Sequence, residues 1–158
     1  MVSRVNSVLV LIGWLLLCFG AAWFGASFPP GAWYASLNKP SWNPPNWVFG
    51  PVWTALYTMM AVSAWLVWRN RGFVKNALPL GSFLVQLILN ALWSWLFFGL
   101  QNPALAFAEI VLLWLAIGAT LLLFGRRSPL AAWLLAPYLV WVSFAAALNF
   151  TLWRLNSG

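Results

Sequence analysis

The sequence contains no histidine, a single carboxylate and a single thiol. Without histidine there is no two-His metal site, no Ser-His-Asp triad and no Cys-His pair. Most soluble enzyme classes are excluded with them, and no metal site is expected. The one thiol, Cys18, lies inside LLLCFGAAWFG, where a buried small residue is the ordinary role and a reactive thiol the unusual one. It says nothing about redox compartment. Charge is scarce too, at 6% of residues, whereas 64% of the 158 residues are hydrophobic. No soluble core of this size hides so much apolar surface, but a bilayer acting as solvent removes the difficulty.

The eight Lys and Arg outnumber the one acid, Glu109, and give a net charge of +7. They are scattered along short hydrophilic gaps rather than gathered on one surface, which is the pattern of membrane-edge charge and not of nucleic-acid binding. The N-terminus places one Arg before an apolar run, as a signal peptide does. The run is too long for that role and is read as the first membrane helix.

A helix crossing about 30 Å of hydrocarbon needs about 20 apolar residues. Segments near 5–28, 47–68, 77–99, 103–124 and 129–153 meet that length. Asn102-Pro103 and Ser128-Pro129 each set a capping side chain before a proline at the first helical position, where its missing N–H costs nothing. The connections are short, which predicts antiparallel neighbours. The fold class expected is therefore an all-α integral membrane protein, a five-transmembrane-helix bundle forming one domain over 1–158. Arg4, Arg69, Arg71, Lys75, Arg126 and Arg127 fall on one side of the spans, and only Lys39 and Arg154 on the other. This predicts a cytoplasmic N-terminus for insertion into a cytoplasmic-type membrane, an inference that does not govern an outer membrane.

The one long connection, 29–46, reads PPGAWYASLNKPSWNPPN, with five prolines and three aromatics. Neither helix nor strand tolerates that proline density, so an ordered, stiff cap is expected. Prolines 40, 44 and 45 restrict their own φ and the residue before each. Trp33, Tyr34, Trp42 and Trp47 are then either an interfacial aromatic belt or side chains held in place over a site.

The stretch WYASLNKPSWNPPNWVFGPVWTALY, from Trp33 to Tyr57, resembles the signature of the TspO/translocator protein family, also called the peripheral benzodiazepine receptor family. LILNALW in the third span and PYLVWVSFAAALNF in the fifth extend the resemblance over nearly the whole chain. It implies a five-helix bundle, often a homodimer, with a pocket closed by the first loop, and no cofactor is required. Family members bind porphyrins and haem-like tetrapyrroles, sterols in animals, and synthetic isoquinoline carboxamide and benzodiazepine ligands. Some bacterial members are associated with light-dependent porphyrin breakdown. The pocket positions implied here are Tyr34, Pro45, Phe49, Trp53, Tyr57, Asn90, Trp93, Ile110, Trp141, Ala145 and Leu148.

Helical spacing tests convergence independently, because residues three, four and seven apart share a face. Phe49, Trp53 and Tyr57 form one aromatic stripe. Gln86, Asn90, Trp93 and Phe97 form a second face, and Tyr138, Trp141, Ala145 and Asn149 a third, with Leu148 at its edge. Amides facing lipid would be left without partners, so Gln86, Asn90 and Asn149 should point inward, either as interhelical hydrogen bonds or as ligand contacts. Tryptophan walls with a few polar groups suit a planar apolar ligand with polar edges.

Glu109, two turns into the fourth span, is either structural glue or a ligand or proton group. As such it is expected to be neutral and hydrogen-bonded, or ionised and paired with a basic group. The family usually has Asp at that place. Pro137 interrupts the fifth span's hydrogen bonding, and a kink there would widen a pocket. Leu148-x-Phe150-x₃-Arg154 is similar to a cholesterol-recognition pattern but carries Phe where Tyr is required, so sterol is not the expected native ligand. Small-residue pairs Ala21/Gly25 and Ala22/Ala26 predict close helix approach without naming the partner helix.

Three functions are compatible with these features. The leading one is a membrane receptor or sensor for porphyrins. A second is light- and oxygen-dependent porphyrin degradation, with Trp53 and Trp141 as a photochemical relay. A third is a tetrapyrrole or sterol transporter, for which five helices offer no inverted repeat.

Overall fold

The computed structural model describes residues 4–157, and side chains over 6–157. Six α-helices are formed: α1 Arg4–Ala26, α2 Ala32–Ser36, α3 Asn46–Lys75, α4 Ala77–Ser94, α5 Pro103–Gly125 and α6 Pro129–Leu155, with no strand among the described residues. Five are long and apolar enough to cross a membrane, α4 being extended by a π-helical turn to Gly99. The chain is an all-α, multi-pass integral membrane protein.

Helix ends follow local chemistry. Asn102 Oδ1 accepts from Leu105 N at 3.0 Å, and Ser128 Oγ from Ala131 N at 3.3 Å. Each cap satisfies one donor that the first turn leaves unpaired. α1 stops at Ala26, short of the apolar limit at Phe28, because Pro29 and Pro30 disfavour helical backbone just ahead of them. α3 runs past its apolar stretch, since Arg69 stays helical with its guanidinium 4.6 Å from the Trp65 ring centre. Hydropathy marks the edge of the hydrocarbon, not the end of the hydrogen-bond ladder.

α3 is broken at Gly72, with φ 73° and ψ −175°, a backbone region that essentially only glycine occupies. This break lets the chain turn into α4 within one residue, Asn76. Asn76 Nδ2 fastens the turn by donating to the carbonyls of Val67 and Gly72, both at 3.0 Å.

The first loop departs from its expected form. Proline density argued against any helix in 29–46, yet α2 forms over Ala32–Ser36. The reason is distribution: Pro30 precedes the turn, Pro40 follows it, and AWYAS between them contains none.

The spans close into a ring. α1 packs on α3, α3 on α6, α6 on α5, α5 on α4, and α4 back on α1. Chain-adjacent spans supply most of these contacts. The α3–α6 and α1–α4 contacts join spans distant in sequence and complete the circle. Gly25 is one point of closure, since a Cβ there would lie 3.1 Å from Ser94 Oγ in α4. Ala22 and Ala26, with Gly25 itself, also line the space beneath the cap.

The two halves of the ring are filled differently. Away from the cap, Met60, Ala61, Ala64, Val67, Phe83, Leu87, Phe124, Ala131 and Leu135 form a buried core, and Ser63 Oγ donates to the Ala131 carbonyl at 2.7 Å. Alanine and serine let α3 and α6 approach closely there. Toward the cap the facing positions carry Phe49, Trp53 and Trp141, whose rings hold the same two helices apart. α6 continues as one helix through Pro137.

Gly72→Ala is expected to destabilise the protein by about 1–3 kcal/mol, because alanine is strained at this φ and ψ. Gly118→Ala is helical with open space at its Cβ position, and should be neutral or stabilising by up to about 1 kcal/mol. Thermal unfolding in detergent, followed by near-ultraviolet circular dichroism, checks both, and equal Tm values for the two variants would contradict the Gly72 assignment.

Candidate ligand-binding site

Beneath the cap the ring forms a cavity of about 660 Å³ that is partly open to the outside. Sites for small molecules and cofactors commonly span about 300–1,000 Å³. Every span contributes to it. α3 supplies Phe49, Trp53, Thr54 and Tyr57, α4 supplies Asn90 and Trp93, α5 supplies Ile110 and Leu113, and α6 supplies Trp141, Val142 and Ala145. Phe98 from the π turn and Tyr34 from α2 close the top.

The walls are aromatic and interlocked. The Trp53 ring centre lies 5.4 Å from Tyr57, 6.3 Å from Tyr138 and 6.5 Å from Trp141, and that of Phe49 lies 5.8 Å from Trp141. Trp53 and Trp141 are nearly perpendicular, at 88°. Such edge-to-face contacts fix ring orientation beyond what area burial supplies. Ala145, one turn from Trp141, leaves the space that a larger side chain would fill.

A polar chain begins at the cavity. Tyr57 Oη donates to Asn90 Oδ1 at 2.7 Å, Asn90 Nδ2 donates to Tyr138 Oη at 2.6 Å, and Tyr138 Oη donates to Gln86 Oε1 at 2.9 Å. Tyr57 and Asn90 line the cavity, whereas Tyr138 and Gln86 lie behind it in the core. The chain crosses three helices, α3, α4 and α6. One Asn90 amide hydrogen and the Tyr57 hydroxyl lone pairs are uncommitted by these bonds, so the chain can meet the polar edge of a ligand.

Asn149 is occupied differently. It accepts from Trp93 Nε1 at 3.0 Å and donates to the Pro103 carbonyl at 2.8 Å, tying α4, α5 and α6 together. Of the three amides considered from sequence, Gln86 and Asn149 therefore serve helix–helix bonding, and Asn90 alone combines that role with a place in the cavity wall. Glu109 is 6% exposed, and neither carboxyl oxygen has a hydrogen-bond partner among the described residues. It does not line the cavity, although its neighbour Ile110 does.

The residues singled out from sequence thus fall into three places. Phe49, Trp53, Tyr57, Asn90, Trp93, Ile110, Trp141 and Ala145 come together around the large cavity, and Tyr34 closes it. Pro45 lies in a smaller adjoining recess of the cap. Leu148 packs instead in a second cluster with Tyr34, Leu96, Phe97, Ala106 and Leu152.

Helical spacing missed the contribution of α1. Phe19, Ala22, Trp23, Gly25, Ala26 and Phe28 also line the cavity. Phe19 and Trp23 are exposed on the outside as well, Trp23 at 76%, so this wall lies nearest the surrounding lipid. The small pairs Ala21/Gly25 and Ala22/Ala26 were the available signal, but spacing alone does not say what a small face packs against.

The cap is anchored at several points. Asn38 N donates to Asn156 Oδ1 at 2.9 Å while Asn156 Nδ2 donates to the Asn38 carbonyl at 3.0 Å, clamping the loop to the end of α6. Trp33 meets Phe97 edge-on at 5.7 Å, Trp42 meets Phe144 at 5.8 Å, and Tyr34 Oη donates to Asn43 Oδ1 at 3.2 Å. Burial holds the Tyr34 hydroxyl above the usual phenol range. Trp47 is 75% exposed and takes the membrane-belt role. Of these aromatics only Tyr34 thus lines the cavity, while Trp33 and Trp42 brace the cap against the bundle.

A family model described as TspO/MBR family matches residues 14–154. The "Tryptophan-rich protein TspO" of Chlorobaculum tepidum is 46% identical over 156 residues, covering 96% of this chain and 98% of that protein. The human "Translocator protein" is 46% identical over 128 residues, 80% of this chain and 76% of that protein. The "Tryptophan-rich sensory protein" of Cereibacter sphaeroides is 39% identical over 147 residues, 93% and 91% respectively.

Removing the centre of the polar chain tests its structural role. Asn90→Ala leaves two buried tyrosine hydroxyls short of a partner and is expected to cost about 2–4 kcal/mol. Tyr57→Phe should cost about 1 kcal/mol. The double variant should fall short of the sum by at least about 0.5 kcal/mol, because the two residues share one bond. Denaturation in detergent gives the cycle, and strict additivity would contradict the coupling.

Proposed function

The chain belongs to the TspO/MBR family, and from that membership and the cavity we propose that it is a membrane receptor or sensor that binds porphyrins or related flat tetrapyrroles beneath the cap. The observation that carries this reading is the pairing of aromatic walls with one polar chain at the cavity surface. A large planar ring gains most from flat aromatic contact, and its polar edge requires a partner that hydrocarbon does not offer. Trp53 and Trp141 stand in the wall as the principal contacts, with Asn90 and Tyr57 as the polar ones. The sensory name of the Cereibacter relative supports a signalling role. Synthetic isoquinoline carboxamide or benzodiazepine ligands are further candidates for the same space.

A preformed cavity under an anchored lid lowers the ordering cost of binding, which favours a receptor. For insertion in a cytoplasmic-type membrane, six basic residues on the non-cap side against two on the cap side favour an N-terminus inside, a rule that does not govern an outer membrane. A homodimer is part of the same reading, resting on the family alone.

Titration of purified protein with protoporphyrin IX in the dark should quench tryptophan fluorescence saturably. Trp53→Phe combined with Trp141→Phe is expected to weaken binding at least about ten-fold, equivalent to about 1.4 kcal/mol. Unchanged affinity in a folded double variant would remove these residues from the site.

A further inference from the structure

A second recess, of about 300 Å³, lies within the cap beside the large cavity. The two share Pro30, Tyr34 and Asn46 as lining residues, so they meet at one wall. Their chemistry differs. The large cavity is walled mainly by aromatic and aliphatic side chains, whereas the recess contains Lys39 and Asn43.

Lys39 is held in place, and among the described residues no acidic side chain lines its recess. Its Nζ donates to the carbonyls of Ala35 and Leu37, both at 3.2 Å, and sits 4.7 Å from the Tyr34 ring centre. The preceding residue, Asn38, is the one clamped to Asn156, so the backbone beneath the side chain is fixed. An ammonium group has three donors, and two are committed. Carbonyls and a ring face stabilise the cation but do not neutralise it. The only acid in the sequence, Glu109, lies in α5 and is not part of this recess. The half-buried Lys39 therefore presents a free N–H in a recess that adjoins the large cavity.

We infer that the ligand of the large cavity is a planar apolar ring bearing a carboxylate at its edge, and that Lys39 receives this carboxylate in the recess of the cap. This rests on the tetrapyrrole-binding reading above and adds a determinant of specificity to it. The ring provides the apolar contact, and the acid group provides register, because one charge-assisted hydrogen bond to a fixed ammonium orients a ring that aromatic walls alone would accept in several ways. Asn43 lies in the same recess with one amide hydrogen on Nδ2 beyond its bond to the Pro44 carbonyl at 3.1 Å, available to the second carboxylate oxygen.

The test compares protoporphyrin IX with its dimethyl ester, on the wild type, Lys39→Gln and Lys39→Arg, in nanodiscs of phosphatidylcholine and in the dark. The acid should bind wild-type protein about ten-fold more tightly than the ester, the scale of one charge-assisted contact. Lys39→Gln should bring the acid down to the affinity of the ester while leaving ester binding unchanged, and Lys39→Arg should retain most of the preference. Ester binding thus serves as the folding control. The inference is overturned if wild-type protein binds acid and ester alike, if Lys39→Gln keeps the acid preference, or if that variant weakens both ligands equally, as it would were Lys39 only a brace for the cap. It is likewise overturned if Lys39→Gln acts only when anionic lipid is added, which would assign Lys39 to a lipid headgroup. Binding of neither porphyrin to wild-type protein would instead overturn the tetrapyrrole reading itself.

Discussion

In hydrocarbon a buried amide or hydroxyl has no water to fall back on, and it must find its partner on another helix. The chain from Tyr57 through Asn90 and Tyr138 to Gln86 answers that demand across α3, α4 and α6. Its consequence is geometric. Apolar packing between membrane helices is weakly directional, since lipid tails solvate leucine as well as a neighbouring helix does. Short hydrogen bonds set the rotation of the three helices about their axes. Once those rotations are set, the stripes bearing Phe49, Trp53, Trp93 and Trp141 face one another rather than the lipid.

The hollow and the filled halves of the bundle follow from residue size on the same helices. Ser63 and Ala131 bring α3 and α6 into contact at one end, and Phe49, Trp53 and Trp141 separate them at the other. A ring of five helices that tapers in this way leaves its space at the cap end. The cap is then required as a lid, and its prolines and the Asn38–Asn156 clamp give it the rigidity to act as one. The π turn at Trp95–Gly99 belongs to the same arrangement, because it sets Phe97 and Phe98 against Trp33 and Tyr34 at the join between bundle and lid.

Much of the site was legible from spacing. Phe49, Trp53 and Tyr57 recur at four-residue intervals, and a membrane helix with such a stripe directs it at something other than lipid. Asn90 was legible for the same reason. Other residues were not. Asn149 and Gln86 share the polar character and spacing of Asn90, yet their hydrogen bonds draw them behind the wall. The wall from α1 went unread because Phe19 and Trp23 look from sequence like lipid-facing residues, and they are partly that. α2 was hidden by counting prolines over the loop instead of noting where they fall.

The sequence by itself determined five membrane spans, their starts at Pro103 and Pro129, and a stiff first loop, because each depends on the hydrophobicity, capping and backbone restriction of residues close together in the chain. Only the tertiary structure decided that the spans form a ring closed by α1 against α4 and α3 against α6, and that Lys39 stands beside the cavity in a recess with no acidic side chain among the described residues. These depend on contacts between residues far apart in sequence, such as Asn38 with Asn156, which a local pattern of side chains does not encode.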